Sequence, residues 1–172
     1  DLPVEQVVAG HAPSVDCAAM DEGVLRSMAK WPDVPDVYGW LALDRRGHWR
    51  LRDEAGAFGR IGNAALREFI GRNYAADPRG AWYFQNGPQR VYVRLEYTPL
   101  VARLAGEGLE DHCGRPFSPV AAWLDDEGSL LLAGSPGIAL LDDRDLAAYA
   151  ERHPGGVAGL PAIPREIGRA HV

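Results

Sequence analysis

Two neighbouring residues, His112 and Cys113, are the side chains of this sequence best suited to nucleophilic or metal chemistry. A cysteine beside a histidine can act as a nucleophile with the imidazole as its base. If their loop met a second cluster near the start of the chain, at His11, Asp16 and Cys17, a mixed zinc site could assemble. Neither cluster has the spacing of structural zinc ligands, and the sequence does not tell whether the two converge. We therefore predict no metal ligand, no cofactor and no catalytic residue.

Several stretches of this chain resemble catalytic motifs, but each lacks a residue that the chemistry of the motif requires. The His112-Cys113 pair begins like a cysteine-phosphatase loop, but the position that should hold its phosphate-binding arginine is Pro119. Ser135 sits in a relaxed nucleophile-elbow pattern, yet Pro136 follows it and has no N–H for an oxyanion hole. No GxxxxGK[ST] sequence occurs. Whether the chain is an enzyme stays open, with a small metal- or thiol-dependent enzyme centred on His112 and Cys113 as the alternative reading.

The run WYFQNGPQRVYVRLEYTPL, residues 82–100, predicts a β-hairpin with an aromatic and basic face. Its Asn-Gly pair is a strong signal for a two-residue hairpin turn. Strand alternation then places Tyr83, Arg90, Tyr92 and Arg94 on the face turned to solvent. Cross-strand pairing alone could explain these side chains, but tyrosine and arginine are also enriched in interfaces. We predict these four as binding residues.

Composition and charge limit the classes of partner. The chain has 172 residues, 47% of them apolar and 24% charged, which is typical of one globular domain. A net charge of −6 argues against nucleic acid, because phosphate binding needs a basic face. No apolar run approaches membrane-spanning length, and no secretory signal is visible at the start. We expect a cytoplasmic protein whose partner is unknown, with a protein or a small molecule preferred and no membrane.

The chemistry-bearing residues must be positioned by an α+β fold. Two apolar runs, VYGWLAL and HWRLRD, flank a turn that ends at Gly47, and Asn63 is placed to cap a helix over AALREFIGRNY. Near the end, Asp142 or Asp143 is placed to cap another helix. We predict one antiparallel, meander-like sheet of about seven or eight strands packed with two main helices. The predicted divisions are a weakly patterned segment with a short helix (1–30), a single domain (31–153) and an irregular tail (154–172).

Two segments share an order of elements. GWLALDRRGHWRL followed by NAALREFIGRN, and AAWLDDEGSLLL followed by DDRDLAAYAERH, each predict a Trp-bearing strand, an acidic turn, a return strand and a capped helix. This order could record duplication of a hairpin-strand-helix unit. It is also a common arrangement, so both explanations stay open.

The runs VYGWLALDRRGHWRLR, FIGRNYAADPRGAWYFQNGPQRVYVRLEYTPL, EDHCG and LLDDRDL together resemble an uncharacterised proteobacterial family classed as a domain of unknown function. The resemblance spans about residues 30–150. It implies a single domain of bacterial origin and brings over no activity or catalytic residue. The residues and the resemblance together predict a non-enzymatic bacterial binding or interaction module that uses the Tyr/Arg face of the sheet.

Overall fold

The computed structural model describes residues 20–154 and the backbone of residues 162–163. The proposed ligands His11, Asp16 and Cys17, and nearly all of the predicted tail, lie outside the described residues.

The first sheet has six strands in the order β3-β2-β1-β6-β5-β4. All neighbours are antiparallel except β1 and β6, which run parallel at the centre. The strand bounds are β1 Val37–Leu43, β2 Trp49–Arg52, β3 Phe58–Arg60, β4 Tyr74–Ala76, β5 Trp82–Asn86 and β6 Gln89–Leu95.

The second sheet has seven strands in the order β13-β10-β11-β12-β7-β8-β9. Here β7 and β12 form the parallel pair, and the short β13 adds a second parallel pairing at the edge beside β10. The strand bounds are β7 Leu100–Ala105, β8 Gly108–Asp111, β9 Pro116–Phe117, β10 Pro119–Asp125, β11 Leu130–Gly134, β12 Ile138–Leu141 and β13 Ala162–Ile163.

The α+β class is confirmed, but the prediction of one antiparallel sheet is wrong. Strands β1–β6 and β7–β12 build two mixed sheets of the same topology, in which the first and last strands of each series pair in parallel. Local alternation could not reveal this pairing, because it joins strands that are far apart in sequence. Four of the strands have only two or three residues, which is too short to show a period of two.

Over the part of the chain that the structure describes, three α-helices accompany the sheets: α1 Glu22–Lys30, α2 Ala64–Arg72 and α3 Leu146–Arg152. Asn63 caps α2 by accepting a hydrogen bond from the Leu66 N–H at 3.0 Å, as predicted. Asp142 caps the short 3-10 turn Asp143–Asp145 that leads into α3. Helix α1 packs on the first sheet, while the predicted domain boundary at residue 31 stays a prediction.

One hydrophobic core joins both sheets. Apolar side chains from the inward faces of the two sheets, with Ile70 of α2 and Tyr149 of α3, form a single buried cluster. The opposite face of the first sheet, called the outer face below, carries the side chains that alternate with this core.

The two segments proposed as a duplication each form three antiparallel strands followed by a helix. They occupy different places, however, because β1 lies at the centre of its sheet and β10 lies beyond two other strands. The equivalence that the topology displays relates β1–β6 to β7–β12 instead.

Five turns share the sequence Asp-x-x-Gly. In each, the glycine N–H donates to the aspartate carbonyl, and the aspartate carboxylate accepts from the N–H four residues later. In all but the second, the carboxylate also accepts from the N–H two residues later. The turns are DRRG, DEAG, DPRG, DHCG and DDEG, and their aspartates are Asp44, Asp53, Asp77, Asp111 and Asp125.

Candidate functional site

His112 and Cys113 are the two central residues of the fourth Asp-x-x-Gly turn. The Val101 N–H donates to Nδ1 of His112 at 3.3 Å, and Nε2 of His112 lies 3.5 Å from Sγ of Cys113. The imidazole packs against the rings of Trp49 and Tyr74, at centroid distances of 5.2 and 5.7 Å. The pair is therefore part of the packing between the sheets.

The electrostatics of this pair oppose nucleophilic chemistry. Burial lowers the pKa of His112 to about 4, so the imidazole is neutral at pH 7. Burial, reinforced by the Asp111 carboxylate, raises the pKa of the Cys113 thiol to about 12. Because Nδ1 accepts a hydrogen bond, the proton of the neutral ring lies on Nε2 and faces the sulfur. His112 is thus a donor to the thiol in this geometry.

Within the described residues, no group of three or more His, Cys, Asp or Glu side chains is arranged to hold a metal ion. Asp111 is instead used by its own turn and by Arg115, whose Nε donates to the carboxylate at 2.8 Å. The predicted second ligand cluster falls outside this part of the chain.

The four predicted binding residues do share the outer face, but the face is not uniformly open. Tyr83 and Tyr92 are buried in a small cluster with Met20, against which Leu25 and Met28 of the first helical segment pack. The Tyr92 hydroxyl donates to the Asp77 carboxylate at 3.1 Å. The expectation that both tyrosines face solvent is therefore wrong, because the sequence did not show that α1 covers them.

The two predicted arginines differ in their surroundings. The Arg90 guanidinium lies 4.6 Å from the centre of the Tyr83 ring and is half-buried. Arg94 is exposed, with its guanidinium 5.9 Å from the Phe58 ring. Arg94 thus belongs to the half of the outer face that α1 leaves uncovered.

Two aromatic residues missed by the sequence analysis occupy that uncovered half. A bulge in β1 places three residues, 38–40, where β6 has only Tyr92, and Gly39 takes a φ of +77°. Tyr38 stacks on Tyr92 with ring centroids 4.7 Å apart, and Trp40 precedes the core residue Leu41. Tyr38 and Trp40 remain 57% and 53% exposed. A glycine inside the apolar run VYGWLAL was the signal that could have predicted the bulge.

The uncovered side chains form what we call the arginine-aromatic patch. Register pairing puts Arg52 opposite Phe58 and Arg94 beside Ala42, so their side chains share the outer face. Arg60 pairs with Arg50 on the same face. The patch consists of Tyr38, Trp40, Arg52, Phe58, Arg60 and Arg94.

The arginines of the patch have no carboxylate partner among the residues that the structure describes. Among the ion pairs of the described residues, none involves Arg52, Arg60 or Arg94, and all three are exposed. Their neighbour Arg50 differs, because its Nε donates to the Asp44 carboxylate at 3.1 Å. Strands β1, β2, β3 and β6 contain five arginines and neither aspartate nor glutamate. The patch is consequently a local positive region on an acidic chain.

A cleft of about 530 Å³ lies elsewhere, where the first and fifth Asp-x-x-Gly turns approach each other. Some of its polar side chains bind one another across the gap. Arg46 pairs with Asp143 at 3.1 Å, and Nη2 of Arg45 donates to the Ser129 hydroxyl at 3.0 Å. These contacts connect the two sheets, so the cleft is a weaker candidate for a binding site than the patch.

The fold and the patch define a class: a two-sheet α+β protein with an exposed arginine-aromatic surface and a histidine-cysteine pair packed between the sheets. The chain belongs to the DUF2944 family, described as "Protein of unknown function (DUF2946)", whose model matches residues 20–162. The expected membership of a family of unknown function is thereby confirmed.

Comparison with solved structures finds matches to two proteins. A DUF1285 family protein from Silicibacter pomeroyi matches at 13% identity with a TM-score of 0.49, over 84% of this chain and 82% of that chain. Another from Shewanella baltica matches at 13% identity with a TM-score of 0.48, over 65% and 91%. No curated protein matches this chain. In the described part of the chain, no helix is both long and apolar enough to cross a membrane.

Proposed function

We propose that this chain is a non-enzymatic binding module and that the arginine-aromatic patch is its binding surface. The proposal keeps Arg94 as a direct contact and adds Tyr38 and Trp40. Tyr92 contributes indirectly, because its ring stacks on Tyr38 and holds it in position. Tyr83 and Arg90 lie on the part of the outer face that α1 covers and are not direct contacts in the proposal. A cytoplasmic location and a single domain over residues 31–153 belong to the same proposal.

The observation that carries the proposal is the exposure of two large aromatic rings held in a sheet. Burying apolar surface contributes about 25 cal/mol per Å², and a neighbouring part of the same face is covered by α1. Tyr38 and Trp40 stay open although Tyr92 beside them is buried. Tryptophan, tyrosine and arginine are the residues that dominate binding energy in interfaces.

The alternative enzyme centred on His112 and Cys113 gains no support. Its chemistry needs a thiolate or a bound metal, whereas the thiol has a raised pKa and the imidazole donates toward it. We therefore propose one function only.

The tryptophan side chains give a direct test, because the chain has five of them and each contributes one indole N–H signal. We expect a partner to shift the Trp40 signal, assigned with Trp40→Phe, in a two-dimensional NMR spectrum. The signals of the buried Trp49 and Trp82 serve as internal controls and should move little. A panel of acidic and basic peptides, a single-stranded oligonucleotide, anionic vesicles and small molecules covers the partner classes.

Two variants separate binding from folding in this test. Trp40→Ala and Arg94→Ala should change the free energy of unfolding by less than about 0.5 kcal/mol, as expected for exposed positions. Both should remove the shift that the partner causes. If no member of the panel moves the Trp40 signal, or if every bound ligand acts at another place, the proposed function is wrong.

A further inference from the structure

The charge of the patch opposes the charge of the whole chain. The chain carries a net charge of −6, yet the four strands behind the patch contribute arginines and no carboxylate. Charges on a surface are screened beyond about 8–10 Å at physiological salt. A partner that touches only these strands therefore meets arginine side chains and no strand carboxylate, whereas an extended polyanion also meets carboxylates elsewhere on the chain.

We infer that the patch binds a short acidic segment of another protein, with at least one large apolar side chain among its carboxylates. This inference rests on the proposed function and narrows its partner class. Arginine can donate two parallel hydrogen bonds to one carboxylate. Among the ion pairs of the described residues, none gives Arg52, Arg60 or Arg94 a carboxylate partner. Trp40 and Tyr38 offer the apolar contact beside them.

The geometry disfavours the other occupants. A symmetric pair of copies would bring the arginines of two patches together, and like charges in an interface oppose association. Nucleic acids and anionic membranes are extended polyanions, and the net charge of −6 on the whole chain opposes their approach. The area between α1 and the edge strand β3 is also only about four strands wide, which suits a single extended segment.

The experiment uses the full chain and three labelled peptides of equal length. One alternates glutamate with phenylalanine, the second alternates glutamate with serine, and the third alternates glutamine with phenylalanine. Fluorescence anisotropy should show that the first peptide binds about tenfold or more tightly than either of the others. Binding should weaken steeply as salt rises, because exposed charge pairs are screened.

Variants locate the site of this binding. Arg94→Glu and Trp40→Ala should each weaken binding of the first peptide about tenfold. Arg152→Glu and Val120→Ala are matched controls at exposed positions outside the patch and should change affinity less than about twofold. Circular dichroism would verify that all four variants remain folded.

Three kinds of result would contradict the inference, and one of them would also contradict the proposed function. Failure of the first peptide to bind, or equal binding of all three, overturns the inference. The inference is also overturned if an oligonucleotide or an anionic vesicle binds in place of the peptide and this binding requires Trp40. The same holds if light scattering shows self-association that requires Trp40. In both cases the patch remains the binding surface. Absence of any Trp40-dependent binding overturns both this inference and the proposed function.

Discussion

Gly47 and Gly128 occupy the same position in two of the Asp-x-x-Gly turns, with φ of +75° and +82°. A Cβ at Gly128 would meet nothing within 4 Å, whereas a Cβ at Gly47 would lie 2.6 Å from Cβ of His112. We expect Gly128→Ala to lower the free energy of unfolding by about 1–2 kcal/mol, the cost of the left-handed conformation. Gly47→Ala should cost a further 1–3 kcal/mol or so through overpacking. Urea denaturation measures both.

The comparison is internally controlled, since both variants pay the same backbone cost. Equal destabilisation would mean that His112 moves aside freely and does not fix the distance between the sheets. In that case the role assigned to His112 in the packing between sheets would be incorrect.

The sequence did contain evidence against a chemical role for His112 and Cys113, namely the repeated Asp-x-x-Gly pattern in which the two residues lie. DHCG is one of five Asp-x-x-Gly turns, and the aspartate and glycine are the positions that the turn requires. The turn places no requirement on its two central positions, so a histidine and a cysteine can be neighbours there without having a catalytic role. A pair of reactive residue types was thus a weaker signal than the turn around it.

At the scale of the element, α1 determines which part of the outer face is accessible. The helix starts at an anchor, because the Asp21 carboxylate accepts from Arg72 at 3.1 Å and from Asn73 at 3.2 Å. Leu25→Asp should detach the helix by placing a carboxylate beside the buried Tyr83 and Tyr92. We expect faster amide exchange over residues 22–30 and little change in the sheets.

Arg26→Asp is the matched control, since Arg26 neighbours Leu25 but is exposed. It should leave amide exchange in α1 nearly unchanged. Equal loss of protection in both variants would show that helix propensity, rather than packing on the tyrosines, holds α1 in place. Loss of protection across both sheets would make α1 an integral part of the core.

Elements defined by local signals were predictable, and their partners were not. The hairpin between β5 and β6 and the Asn63 cap follow from the backbone preferences of one or two residues. The two loop residues of that hairpin are Gly87 and Pro88, however, because Asn86 pairs with Gln89 and does not take the predicted positive φ. The cover that α1 places on Tyr92 and the bulge that presents Trp40 depend on contacts between distant segments. Strand alternation assigned the correct side chains to one face and could not tell which part of that face was covered.

At the scale of the whole molecule, His112 sets part of the dependence of stability on pH. Its pKa is about 4 in the folded protein, below the value of about 6.5 expected when the chain is unfolded. The unfolded chain therefore binds a proton first, and this contribution to stability is lost as pH falls from about 6.5 to 4. The loss is at most about 3 kcal/mol.

Chemical denaturation of His112→Asn at several pH values measures this contribution. The amide oxygen of asparagine can still accept from the Val101 N–H, while the titrating group is gone. We expect the variant to be less stable at pH 7 and to lose less stability than the parent between pH 7 and 4. Parallel pH profiles would show that His112 titrates normally in the folded chain.

The turn carboxylates act at lower pH and in the same direction. Burial alone would raise the pKa of Asp77, but the N–H groups of Ala81 and Arg79 and the Tyr92 hydroxyl outweigh it and lower the pKa. The pKa values of Asp44 and Asp125 are lowered by similar hydrogen bonds against the same opposing effect of burial. Their stabilisation is complete above about pH 4 and disappears as they protonate below it.

The parallel pairs at the centre of each sheet also dictate an order of events during folding. Leu41 pairs with Val93 and Val101 with Leu140, whereas the hairpins on either side join neighbouring strands. Hairpins close short loops and form early, while pairing across a long loop is slow. On the ribosome, β1 must wait with one edge open until β6 has been synthesised. We expect the first sheet to be completed from its two sides inward, with the ladder between β1 and β6 the last to close.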